Sequence, residues 1–127
     1  MAYKVFVIAT PKDGDLAVEL TRRLEKAGIE VLSKKLHANG AIDNRLRKKL
    51  SASDEVFILL TDDSLNNERV AVLLGAALGL HKRITAILVG VREQELPSII
   101  RGMRRLNYLD VVEYISELQS RSEKVLV

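Results

Sequence analysis

The chain has 127 residues, which suits one domain that buries roughly two thirds of its unfolded surface. Its 47% hydrophobic and 29% charged content, with two prolines, excludes a disordered chain, and the lack of cysteine excludes disulfides, thiolate metal sites and a cysteine nucleophile. Twenty Lys and Arg against 17 Asp and Glu leave a net charge of +3, too little by itself to imply nucleic acid.

In chain order, residues 3–9 (Tyr, Lys, Val, Phe, Val, Ile, Ala) form an apolar run that predicts a strand covered on both faces. Residues 10–14 break it. A helix follows from Asp15, with Leu16, Leu20 and Leu24 at four-residue spacing, Ala17 and Ala27 on the same side, and Gly28 as its stop. A short second strand covers 29–33, and 34–41 is a loop containing His37, Asn39 and Gly40. The second helix starts at Ile42 or Asp43, buries a narrow stripe of Ile42, Leu46 and Leu50, and turns Arg45, Arg47, Lys48 and Lys49 outward.

The third strand spans 56–60, and a polar turn of Thr61, Asp62, Asp63 and Ser64 leads to a helix over 68–80. From Val70 to Leu80 that helix has no polar side chain, so the pattern predicts cover on nearly all sides. A fourth strand spans 84–90, apolar except for Thr85. Then come a helical turn at 93–96, a short link or turn at 98–102, a fifth strand at 106–109 and a closing helix from 111 to about 122, with Val111, Val112, Ile115 and Leu118 inward.

Strands alternating with helices predict an α/β fold: a flavodoxin-like three-layer sandwich, with a five-stranded parallel sheet in the order 2-1-3-4-5 and helices on both faces. One domain over 1–127 is expected, without internal repeat or linker. No charged leader precedes an apolar run, and 70–80 is too short to span a bilayer, so the reading is a soluble, cytoplasmic protein with no signal peptide and no membrane partner.

Ligands of open α/β sheets bind at the carboxyl ends of the strands. Here the first turn has one glycine, so neither a dinucleotide fingerprint nor a P-loop is present. The expected cleft has Thr10, Lys12 and Asp13 on one side, His37, Asn39 and Gly40 on a flap, and Asp62 or Ser64 opposite, with Lys34, Lys35 and Arg45 placed to attract phosphates. Asp62 and Asp63 come close to a cation site, but the first strand ends in Ala9 and Thr10, so no metal is expected. His81 reads as a helix C-terminal residue, and Ser64 lacks the flanking glycines of a nucleophile elbow.

Several of these segments together resemble the bacterial Toll/interleukin-receptor-like (TIR-like) domain over residues 3–110. They are the opening Val5-Phe6-Val7-Ile8-Ala9, the run Leu24-Glu25-Lys26-Ala27-Gly28-Ile29-Glu30-Val31, the loop around Asn39-Gly40, and Ser53-Asp54-Glu55-Val56-Phe57-Ile58-Leu59-Leu60-Thr61 with Leu74-Gly75-Ala76-Ala77-Leu78-Gly79. Leu88-Val89-Gly90-Val91 and Glu95-Leu96-Pro97 are similar to the family's later segments. In members that cleave NAD, the resemblance implies a glutamate near the start of the third helix that contacts the nicotinamide ribose. Here that position is Leu73, and Arg69 stands where an aromatic residue is common. Leucine neither stabilises an oxocarbenium ion nor accepts a hydrogen bond. Glu68 is the fallback carboxylate, but on a helix it lies about 140° round from Leu73 and about 7.5 Å along the axis.

The expectation is therefore a non-catalytic TIR-like module that binds a second copy of itself or another TIR-like domain and needs no cofactor. Its contact face would be the third helix: Ala71, Leu74, Gly75, Leu78 and Gly79, with Ala76 beside them. The competing expectation is an enzyme or sensor that takes NAD or another nucleotide in the cleft.

Overall fold

The computed structural model describes residues 2–34 and 41–126. Five strands, β1 (Lys4–Ile8), β2 (Glu30–Val31), β3 (Glu55–Leu60), β4 (Arg83–Leu88) and β5 (Arg104–Asn107), form one sheet in the order β2-β1-β3-β4-β5. Every neighbouring pair is parallel, as the strand–helix alternation predicts. The helices are α1 (Gly14–Lys26), α2 (Asn44–Ala52), α3 (Glu68–Gly79), α4 (Ser98–Arg101) and α5 (Val111–Leu126).

Two apolar layers cover the sheet, and alternation along each strand assigns its side chains to one or the other. Phe6, Ile8, Val56, Ile58 and Leu60 face Leu46 and Leu50 of α2 and Val70, Leu73, Leu74 and Ala77 of α3. Val5, Val7, Phe57 and Leu59 face Leu20 and Leu24 of α1 and Tyr114, Ile115 and Leu118 of α5. Helix α1 ends where expected. Gly28 takes a φ of +80°, its N–H bonds the Glu25 carbonyl at 3.0 Å, and the Ile29 N–H reaches back to Leu24 at 3.0 Å.

Three expectations need correction. The second strand is Glu30–Val31 and not 29–33, because residues 32–34 form a turn, while the link or turn at 98–102 is a single helical turn, α4. The fifth strand begins at Arg104, two residues early, because Arg104 and Arg105 pair with Thr85 and Ala86 of β4. Val112 is 51% exposed, since the inward stripe of α5 is Val111, Tyr114, Ile115 and Leu118, and Val112 lies one helical step (about 100°) round from Val111.

At the amino ends of the strands, Glu55 is fully buried. Its Oε1 accepts from the Tyr3 hydroxyl at 2.7 Å, and its Oε2 accepts from Tyr114 at 2.7 Å and from Thr85 Oγ1 at 2.6 Å. The Arg83 Nε lies 3.8 Å from Oε1. Burial, and then the hydrogen bond to this carboxylate, push both tyrosine hydroxyls above their ordinary pKa. Sequence pattern did not reveal this cluster. Its only signal is a glutamate opening an otherwise apolar strand.

Candidate functional site

The opposite, carboxyl-terminal edge of the sheet is built by two turns that hold each other. After β1 the chain passes through Thr10 into a short 3-10 turn, Pro11–Asp13, in which proline suits the first position. The Asp13 carboxylate is buried, and its Oδ2 accepts from Thr10 Oγ1 at 2.8 Å and from Thr61 Oγ1 at 2.8 Å. After β3, the Ser64 hydroxyl accepts from the Thr61 N–H at 2.7 Å and donates to the Thr61 carbonyl at 3.0 Å. Short polar side chains are here closing their own turns. Asp13 and Ser64 therefore stabilise the edge from inside instead of facing a ligand.

Lys12 and Asp63 form an exposed ion pair at 3.5 Å, and Asp62 is exposed beside it. Lys35 and the expected flap residues His37, Asn39 and Gly40 lie outside the described residues.

A cleft of about 460 Å³ opens at this edge. Phe6, Ile8 and Thr10 line it from β1 and its turn, Ala17, Val18 and Thr21 from α1, Leu46 from α2, and Arg69 and Leu73 from α3. Arg22, Glu25 and Lys34 also border it, and Lys34 donates to Glu25 at 2.9 Å. Of the expected cleft residues in the described chain, Thr10 and the phosphate-attracting Lys34 are among its lining. Lys12, Asp13, Asp62 and Ser64 are not.

The phase of α3 is set at its start, where the Asn67 side chain caps the helix by accepting from the Val70 N–H at 3.0 Å. That start turns Leu73 inward, 5% exposed, and leaves Glu68 on the surface, outside the cleft lining. Glu68 there suits the positive end of the helix dipole.

The same phase corrects the expected cover of α3. Leu74 is buried on the sheet, so it is not part of an open face. Ala71, Val72, Gly75, Leu78 and Gly79 are exposed, Val72 by 49% and Leu78 by 36%. Beside them lies a shallow apolar groove of about 280 Å³, walled by Leu74 and Leu78 on one side and Pro97, Ile99 and Ile100 on the other. Among the described residues, no three His, Cys, Asp or Glu side chains gather to hold a metal ion, and no helix is long and apolar enough to cross a membrane.

A family profile described as TIR domain matches residues 5–126. No curated relative matches the sequence. The TIR domain of a Toll-related receptor from Hydra magnipapillata is similar in structure, with 20% identity, a TM-score of 0.70 and 94% of each chain covered. A CMP N-glycosidase from Clostridium botulinum is similar at 19% identity and a TM-score of 0.65, over 91% of this chain and 97% of that one. A metazoan TIR-STING receptor from C. gigas, solved with 2',3'-cGAMP, is similar at 13% identity and a TM-score of 0.72, over 94% of this chain and 39% of that one.

Proposed function

The chain belongs to the TIR-domain family, and from that premise we propose that it acts as a non-catalytic association module, pairing with a second copy of itself through α3. The observation that carries this reading is the exposed apolar face of α3. Water-facing Val72 and Leu78, flanked by Ala71, Gly75 and Gly79, form a continuous patch where a surface helix ordinarily carries charge.

The face is also self-complementary. Ala71 and Gly79 lie four residues either side of Gly75, and Val72 and Leu78 lie three either side. Two α3 helices crossing antiparallel about a twofold axis at Gly75 set small residues against small and large against large. A Cβ added at Gly75 or Gly79 meets nothing within 4 Å, so the surface above both glycines is open to another backbone. A twofold contact needs this match between a patch and its own inverted copy. The non-catalytic half of the reading is supported by Leu73, a hydrocarbon at the position where the family resemblance implies a ribose-contacting glutamate.

Light scattering over a concentration series tests the association. A dimer is expected that Leu78→Asp dissociates without loss of fold, because Leu78 is on the surface. A strict monomer up to about 1 mM overturns it. Incubation with NAD and with CMP tests the second half. No nicotinamide or cytosine is expected, and sustained release abolished by Glu68→Ala establishes the competing, catalytic reading.

A further inference from the structure

We propose that the outer side of α2 docks on the outer side of α5 in a second copy of this chain, a charge-complementary contact that joins copies head to tail. Helix α2 carries Arg45, Arg47, Lys48 and Lys49 and no acid between Asn44 and Ala52. Asp43, just ahead of it, commits its carboxylate to the Leu46 N–H at 3.1 Å. Arg45, Lys48 and Lys49 stand three and four positions apart, so they share one side of the helix. Elsewhere Lys12, Arg23, Lys34, Arg83, Arg92 and Arg105 each lie against a carboxylate, whereas the four cations of α2 form no ion pair among the described residues. Like charges this close repel one another, and an anion from outside relieves that repulsion.

The chain supplies that anion itself. Asp110, Glu113 and Glu117 are exposed, follow one another at three and four positions at the start of α5, and form no ion pair among the described residues. Arg121, one turn further on, bounds this acidic row. The two helices cover opposite faces of the sheet, α2 through Leu46 and Leu50 and α5 through Tyr114, Ile115 and Leu118. The basic and acidic sides of one chain therefore point away from each other, and each meets its counterpart on another copy. A contact between two different surfaces leaves one of each unused at the ends, so it adds chain after chain where a twofold pairing stops at two. Exposed ion pairs are individually weak, so the contact gains most when copies are already held together. It uses none of the exposed residues of α3 and stands whether or not those pair.

Sedimentation of the Leu78→Asp chain, in which pairing through α3 is removed, tests the contact. At about 0.5 mM protein and about 20 mM salt its weight-average mass is expected at roughly twice the monomer or more, falling to the monomer at about 0.5 M salt, where charges are screened. Pairing through α3 is read separately, from the chain that keeps Leu78, at the same high salt. Reversing the basic side (Arg45→Glu with Lys48→Glu) or the acidic side (Glu113→Lys with Glu117→Lys) is expected to leave a monomer at low salt with an unchanged circular dichroism spectrum. Combining all four substitutions keeps the parent's net charge but swaps the two sides, and is expected to restore association. A monomer of the Leu78→Asp chain at low salt, a mass indifferent to salt, or no restoration in the fourfold variant overturns the proposal. So does loss on reversing α2 without loss on reversing α5, which assigns the α2 surface to a different polyanion.

Discussion

The Tyr114 hydroxyl donates to Oε2 of Glu55 at 2.7 Å, joining the last helix to the third strand across 59 positions of sequence. With Tyr3 on the approach to β1 and Thr85 on β4 bonded to the same carboxylate, one buried group links three strands and α5. A buried carboxylate is tolerated only when its oxygens are satisfied, and this one takes three hydroxyl donors with a guanidinium nearby.

Glu55→Ala leaves three hydroxyls in the interior without their acceptor and is expected to destabilise the fold by about 3–5 kcal/mol. Tyr114→Phe removes one donor and keeps the ring packed at 6.0 Å from Phe57, so about 1–2 kcal/mol is expected. Urea unfolding of the two variants checks both the size and the order.

Stability is expected to fall in alkali. Burial, followed by the bond to Glu55, raises the Tyr114 pKa above its ordinary value, and Tyr3 shifts the same way. A raised pKa means that the folded state holds its proton more tightly than the unfolded one. The contribution is complete below the unfolded value of about 10 and is lost as pH rises toward the folded value. The decline has an upper limit of about 1.4 kcal/mol per pH unit for each tyrosine, and Tyr114→Phe is expected to flatten it. Unfolding curves between about pH 9 and 11 measure the slope.

Asp13→Ala removes an acceptor shared by Thr10 and Thr61, so a loss of about 2–3 kcal/mol is expected. Asp13→Asn keeps the volume and one acceptor oxygen, and is expected to cost less. Urea unfolding of the two variants reads both losses and their order.

His81→Gly is expected to stabilise the protein by about 0.5–1 kcal/mol. His81 follows α3 with a φ of +57°, while its N–H bonds Leu78 and the next N–H bonds Ala77, both at 3.0 Å. This is a helix stop that favours glycine, and a side chain there strains the backbone. A rise in the denaturant midpoint with no change in slope confirms it.

Local pattern made most of the fold legible. The stop at Gly28, the leucine spacing of α1 and the unbroken apolar runs of β1, β3 and β4 each depend on neighbours within a turn or two. The functional surfaces were less legible. Asp13 and Ser64 read as polar residues at a cleft, and in the fold both bond to Thr61, since a short hydroxyl or carboxylate beside a turn finds backbone and side-chain partners before it reaches a ligand. Glu55 fell outside the expected third strand, because its partners Tyr3, Thr85 and Tyr114 are distant in sequence and no local pattern brings them together.

The sequence by itself determined the order of strands and helices, and with right-handed crossovers it determined the parallel sheet that they build. It also placed leucine at position 73. The tertiary structure decided which way α3 faces. Eleven residues without a polar side chain carry no periodic contrast by which a face can be read, so the sequence pattern left open whether Leu74 or Leu78 meets water. The cap at Asn67 and the packing on the sheet resolved it. Leu74 went into the core, Leu78 stayed on the surface, and Leu73 became a wall of the cleft.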